Sequence, residues 1–84
     1  MHQVVNVTAL PPSTLRLALQ DGRTAEIDIA VLMKSEAFAP LSDPAYFARA
    51  EVDEIGGVFW PNGADLSPEY LEQAVVAALE GQRW

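Results

Sequence analysis

Two pairs of carboxylates have the spacing that general acid–base chemistry would use. Glu26 and Asp28, and likewise Glu51 and Asp53, are separated by one residue, which places each pair on one face of a strand. Two carboxylates can share acid and base roles in hydrolysis when a cleft holds them around a substrate. A chain of 84 residues has little volume for such a cleft, so we interpret both pairs as solvated faces of amphipathic strands.

Residues that could build other reactive sites are few. The one histidine, His2, stands at the N-terminus, where we expect the chain to fray and no Ser-His-Asp arrangement to be held in place. Without a second histidine or any cysteine, the chain offers no histidine or thiolate site for a metal. Asp65 and Glu69 could form a metal corner, but their positions around the start of a predicted helix favour helix capping. We expect no catalytic residue, no metal site and no cofactor, and we do not predict an enzyme.

The stretch 59–71 organises the predicted fold. Pro61 cannot donate to a sheet ladder, so a strand that carries Trp60 should stop there. Asn62 and Gly63 then predict a tight turn, because both residues tolerate positive φ. The stretch therefore joins the end of a strand to the last helix through a turn.

The last helix has the clearest periodic signal in the chain. Ser67 is placed to cap its N-terminus and Pro68 to occupy its first turn, with Asp65 as an alternative cap. One apolar stripe follows at helical spacing, formed by Leu71, Ala74, Val75, Ala78 and Leu79.

Earlier segments predict a small antiparallel sheet. Residues 3–9 are rich in β-branched types, and residues 14–20 and 23–29 alternate apolar and polar side chains on either side of Asp21-Gly22, a hairpin signal. These three strands should form a meander with one solvated face.

The middle of the chain predicts short helical turns and a second hairpin. Residues 30–34 favour a short helix, 39–44 a loop, and Asp43-Pro44 the start of another helical turn. Residues 48–54 alternate again before Val58-Phe59-Trp60. The predicted fold is α+β: a small antiparallel sheet, composed of a three-stranded meander and a second hairpin, with short helical turns and a C-terminal helix packed on one face.

Composition bounds the partners. Residues 1–84 make one domain. Half of them are hydrophobic, which is a high share for a small core that no disulfide can stabilise. A homodimer interface would bury the hydrophobic residues that the core does not use. The net charge of −7 argues against direct nucleic-acid binding and permits a small basic protein partner. No apolar run reaches the roughly 20 residues of a membrane span and no signal segment is visible, so we expect no membrane association and a cytoplasmic location.

Three motifs together resemble a bacterial family catalogued as domain of unknown function 2442. They are the Asp21-Gly22 hairpin, the pattern Phe38-x-x-Leu41-x-Asp43-x-x-x-Phe47, and the ending Trp60-Pro61-Asn62-Gly63-x-Asp65-Leu66-x-Pro68-Glu69-x-Leu71. The resemblance implies a small α+β domain on an antiparallel sheet, found alone or fused to helix-turn-helix domains. It also implies, for many stand-alone members, a place in a two-gene unit that resembles a toxin–antitoxin pair. The family supplies no catalytic residues.

Four residues are candidates for contact with a partner: Trp60, Asn62, Asp65 and Glu72. Trp60 could be an exposed anchor or a core residue under the last helix, and we favour the core. Asn62 could contact a ligand or satisfy its own turn, and we favour the turn. Glu72 lies off the apolar stripe, at a position where family members often carry an aromatic residue.

Taken together, these features predict a protein-interaction module. An antitoxin-like role beside a small basic protein is one form that such a module could take. The alternative is a regulatory or sensory domain that binds a small ligand between the sheet and the helix.

Overall fold

The computed structural model describes residues 3–81. Within that range the chain forms two small antiparallel sheets, helical turns between them, and a longer helix at the C-terminal end. The α+β class is confirmed. His2 and Trp84 lie outside the described residues.

The first sheet is the predicted meander, with strands in the order β1-β2-β3. Its side chains alternate as predicted, because one face packs on the core and the other meets water. The strands are β1 (Val4–Leu10), β2 (Thr14–Leu19) and β3 (Thr24–Asp28). The predicted inward residues of β2 and of the return strand are all buried: Leu15, Leu17, Leu19, Ala25, Ile27 and Ile29.

The outer face of this sheet holds the first carboxylate pair. Glu26 accepts from Arg16 across the β2–β3 pair at 3.0 Å. Asp28 accepts from the backbone N–H of Ala30 and from the Ser13 hydroxyl, each at 2.8 Å, and these two hydrogen bonds lower the pKa of the Asp28 carboxyl. Both carboxylates lie on the solvated face of β3, as the alternation predicted.

The chain between the two sheets is helical over most of its length. We call residues 32–42 the 3₁₀ segment. The predicted loop over 39–44 is largely wrong, because the second 3₁₀ helix runs through Pro40 to Ser42. Asp43 caps the next helix by accepting from the Ala45 N–H at 3.0 Å, as the Asp43-Pro44 pair predicted. The elements are 3₁₀ helices at Leu32–Lys34 and Glu36–Ser42, and α1 (Pro44–Phe47).

The second sheet has one strand more than the predicted hairpin. Its strands, in the order β4-β5-β6, are β4 (Glu51–Val52), β5 (Val58–Phe59) and β6 (Asp65–Leu66). Asp65 pairs with Phe59 across β5 and β6, so the alternative in which Asp65 caps the helix is wrong. A strand of two residues carries no periodic signal, and the turn through Asn62 and Gly63 folds the chain back on β5 instead of leading directly into the helix.

The C-terminal helix, α2 (Pro68–Gly81), begins where the sequence predicted. The Ser67 hydroxyl accepts from the Tyr70 N–H at 3.1 Å, which confirms the cap. Leu71 and Val75 are buried in the same core as the meander, and α2 contacts β3. Among residues 3–81, no helix combines the length and the apolar character that a membrane crossing requires.

Trp60 is a core residue, with 1% of its surface exposed. Its ring stacks on Phe47 with centroids 6.2 Å apart and planes at 15°, and its indole N–H donates to the Phe47 carbonyl at 3.0 Å. The preferred interpretation of Trp60 therefore agrees with the structure, and the exposed-anchor alternative does not.

Asp53 closes the turn between β4 and β5. One carboxylate oxygen accepts from the N–H groups of Ile55 and Gly57, at 2.9 and 2.8 Å, so Asp53 does not share the solvated face predicted for it with Glu51. A Cβ on Gly57 would lie 2.7 Å from the other Asp53 oxygen and 2.9 Å from the Leu66 carbonyl oxygen. Glycine is needed here for space.

We expect Trp60→Ala to lower the free energy of unfolding by about 3–5 kcal/mol, because it removes a fully buried aromatic ring. Trp60→Phe keeps a ring against Phe47 and loses the indole N–H, so its cost should be the roughly 1–3 kcal/mol of an unpaired buried carbonyl. Urea unfolding followed by circular dichroism measures both. A Trp60→Ala protein within about 0.5 kcal/mol of wild type would contradict the core assignment.

We expect Gly57→Ala to destabilise the protein by about 1–3 kcal/mol, as overpacking does, because the Leu66 carbonyl can yield only if β6 shifts. Glu54→Ala, an exposed change in the same turn, is the control and should stay within about 0.5 kcal/mol of wild type. Equal urea midpoints for the two variants would show that the close approach at Gly57 has no energetic weight.

Candidate functional site

A shallow groove lies where the 3₁₀ segment faces β6 and the first turn of α2. Its volume is about 290 Å³. We call it the Tyr70 groove. Most of its lining is apolar: it consists of Leu32, Phe38, Asp65, Leu66, Ser67 and Tyr70.

The groove has a rigid aromatic base. Phe38, which is half-buried, meets the Trp60 ring edge to face, with centroids 6.2 Å apart and planes at 84°. Phe47 in turn holds Trp60 in place, because the two rings stack and the indole N–H donates to the Phe47 carbonyl. Such edge-to-face and stacked pairs add to the energy of burial, so Phe38 is held in place from below.

Asn62 fixes the groove from the side. Its amide oxygen accepts from the Ala64 N–H at 3.0 Å, which closes the turn after β5, and its amide nitrogen donates to the Ala37 carbonyl at 3.3 Å. The second bond ties the turn to the 3₁₀ segment next to Phe38. Asn62 satisfies its own turn, as we favoured, and it also positions a wall of the groove.

The opposite wall belongs to β6 and α2. Asp65 is exposed and held in register by its pairing with Phe59. Ser67 caps the helix by accepting from the Tyr70 N–H, and the Tyr70 side chain is 37% exposed. The groove therefore presents an accessible aromatic ring and a single carboxylate on a fixed backbone.

Of the four predicted partner-binding residues, only Asp65 lines this groove. Trp60 and Asn62 contact the 3₁₀ segment beside it, at Phe38 and at Ala37. Glu72 does not belong to it: two residues along an α-helix correspond to a rotation of about 200°, so Glu72 projects from a side of α2 far from Tyr70. It is half-buried.

Sequence reasoning missed the residues that give the groove its apolar surface: Leu32, Phe38 and Tyr70. Phe38 is a defined position of the second family motif, and Tyr70 is the variable position between Glu69 and Leu71 of the third. Neither was predicted to have a functional role. Leu32 gave no signal, because the 3₁₀ segment has no amphipathic period long enough to show which side chains face outward.

The lining of the groove is mostly apolar and contains one carboxylate, that of Asp65. Acid–base catalysis needs titratable groups placed as partners, and the other titratable group in this lining is the Tyr70 phenol. Among residues 3–81, no group of three histidine, cysteine, aspartate or glutamate side chains is placed to hold a metal ion.

A solved structure shares this fold over nearly the whole chain. It is the crystal structure of a putative DNA-binding protein of Nitrosomonas europaea, 29% identical in sequence, with a TM-score of 0.70. The similarity covers 99% of this chain and 52% of the other, so the present chain spans about half the length of that protein. No curated protein matches the chain.

This similarity corrects one expectation. From the net charge we predicted no direct contact with nucleic acid, and that prediction is wrong, because the fold occurs in a protein described as a putative DNA-binding protein. Net charge is a sum over a whole chain, whereas phosphate contacts depend on where individual cations lie.

The family comparison agrees with the motifs. The model of the family described as "Protein of unknown function (DUF2442)" matches residues 4–77, a range that contains both sheets, the 3₁₀ segment and most of α2. The chain belongs to the DUF2442 family.

Proposed function

We propose that this chain is a protein-interaction module that acts in a DNA-binding assembly, with the Tyr70 groove as the surface that takes the partner. One observation carries the proposal: an accessible apolar groove stands on a rigid aromatic base. Pre-organised walls lower the entropic cost of binding, and aromatic side chains such as Tyr70 are enriched among residues that contribute most to interfaces.

The kind of partner follows from the lining. Leu32, Phe38 and Tyr70 would surround an apolar side chain, and Asp65 would pair with a Lys or Arg next to it. The net charge of −7 speeds encounter with a basic protein. A small basic protein is therefore the partner we propose, and an antitoxin-like role is the form that the family resemblance suggests.

The DNA part of the proposal rests on the Nitrosomonas europaea protein. This chain corresponds to about half of it, so its fold is one component of a larger protein described as a putative DNA-binding protein. We propose that the present chain contributes to DNA binding in the same setting, together with the partner that occupies the groove.

The alternative function is a sensor that binds a small ligand between the sheet and the helix. The packing between the meander and α2 does not support it. Ile27, Leu71 and Val75 fill the contact between the meander and α2, each with 7% or less of its surface exposed. A ligand there would have to displace core side chains at a cost of several kcal/mol.

We expect Tyr70→Ser to weaken partner binding by about tenfold or more, since a central interface aromatic commonly contributes more than ~1 kcal/mol. The tagged chain is first used to isolate its partner from the encoding organism. The dissociation constant of the two purified proteins is then measured by isothermal titration calorimetry.

Ile55→Ser is the matched control, because Ile55 is also an exposed apolar side chain, at 69%, but lies in the β4–β5 turn outside the groove. It should bind as wild type does. If both variants bind equally well, or lose affinity equally, the Tyr70 groove is not the interface.

We also expect the complex to bind a labelled DNA duplex more tightly than either component does, and the affinity to fall with rising salt as phosphate contacts are screened. Fluorescence anisotropy of chain, partner and complex measures this. Tyr70→Ser should reduce DNA binding of the mixture by breaking the complex. If the mixture binds DNA no better than its components, or if Tyr70→Ser has no effect, the assembly proposal fails.

A further inference from the structure

A second groove lies on the 3₁₀ segment, apart from the Tyr70 groove. Its volume is about 360 Å³, which is within the range of small-molecule sites. We call it the Lys34 groove. The two grooves share no lining residue; this one consists of Pro12, Ser13, Ala30, Met33, Lys34 and Ser42.

Lys34 differs from the other basic residues that the structure describes. Within residues 3–81 its ammonium group pairs with neither a carboxylate nor an aromatic ring. In a chain with twelve acidic residues, a cation left without an internal partner is available to an external anion. The other three have partners: Arg16 pairs with Glu26, Arg23 with Asp21, and Arg49 lies over the ring of Tyr46.

Two hydroxyl groups accompany Lys34 in the lining. The Ser13 hydroxyl donates to Asp28 at 2.8 Å, so Ser13 has only acceptor capacity left. The Ser42 hydroxyl donates to no acceptor among residues 3–81, so it can donate to a ligand. The groove therefore offers an anion one full positive charge and one neutral donor, both on the 3₁₀ segment.

The remaining lining is apolar, so a ligand of this groove needs apolar surface as well as a negative charge. Pro12, Ala30 and Met33 contribute hydrocarbon surface, and Met33 is half-buried against the core. The flexible thioether of methionine adapts to ligands of different shape. A ligand that fills the groove needs an apolar body beside its charged group.

The geometry points to a small monoanionic carboxylate with an apolar body as the ligand of the Lys34 groove. A single cation balances one negative charge. The lining has no second cation for a second negative charge, and the Asp28 carboxylate, which accepts a hydrogen bond from the lining residue Ser13, adds repulsion that grows with the charge of the ligand. Inorganic phosphate lacks the apolar body, and a polyphosphate would need more cations than the groove supplies.

Titration of the 84-residue chain with hexanoate, followed by ¹H–¹⁵N correlation spectra, tests this inference. We expect saturable shifts centred on the amides of Ser13, Met33 and Lys34. Hexanamide has the same body without the charge, and acetate the charge without the body; each should bind at least about tenfold more weakly than hexanoate.

Lys34→Gln should weaken hexanoate binding by at least about tenfold. Arg49→Gln, which removes an exposed cation outside the groove, should leave it unchanged. Both positions are exposed, so the spectra of the variants should show an intact fold. The inference is overturned if hexanoate causes no saturable shift, if Lys34→Gln binds it as wild type does, or if inorganic phosphate or the neutral amide binds equally well. The Tyr70 groove plays no part in this test, so either proposal can fail alone.

Discussion

The contact between Trp60 and the chain that precedes the second sheet is the constraint on which the rest of this structure depends. The residues between β3 and β4 pair with no strand, so no sheet ladder fixes them. Instead the indole of Trp60 stacks on Phe47, donates to its carbonyl and supports Phe38 edge-on. A domain of this size without disulfides has few large side chains to spare. Concentrating one tryptophan and two phenylalanines at this junction is what converts a stretch of helical turns into a defined surface.

Both candidate grooves follow from that junction. The 3₁₀ segment contributes Leu32 and Phe38 to one and Lys34 to the other. Short 3₁₀ helices have poor hydrogen-bond geometry and are seldom stable by themselves, so the position of this segment is set by its tethers: the aromatic contact at Phe38 and the Asn62 hydrogen bond to Ala37. A displacement of the segment changes the shape of both grooves at once. Both candidate grooves thus lie on the least regular part of the chain, which is held in position by contacts from the buried core.

Sequence patterns predicted the regular elements and failed where structure depends on few residues. The meander was predictable because one face of β2 and β3 is buried and the other is solvated, so apolar and polar residues alternate along the sequence with a period of two. The cap at Ser67 and the turn at Gly63 were predictable because each depends on one residue's own chemistry. Strand β6 was not, since two residues have no period, and neither was the groove. Asn62 shows why local patterns are not enough. The hydrogen bond that closes its turn is local and predictable, but its hydrogen bond to Ala37 spans 25 positions, and no residue near Asn62 in the sequence predicts that contact.

The failure of the charge argument has the same origin. A net charge of −7 describes the chain as a whole and does not show where individual cations lie. Among residues 3–81, Arg16 and Arg23 pair with carboxylates on the outer face and in a turn of the meander, whereas Lys34 forms no ion pair. What a surface offers to an anion depends on the cations that remain without a partner, and a sum over the sequence cannot distinguish these from paired ones. The same reasoning applies to apolar surface, where the surplus of hydrophobic residues indicated an interface but not its position. Counting residues bounds the classes of partner, whereas pairing and packing decide which residues are left to meet one.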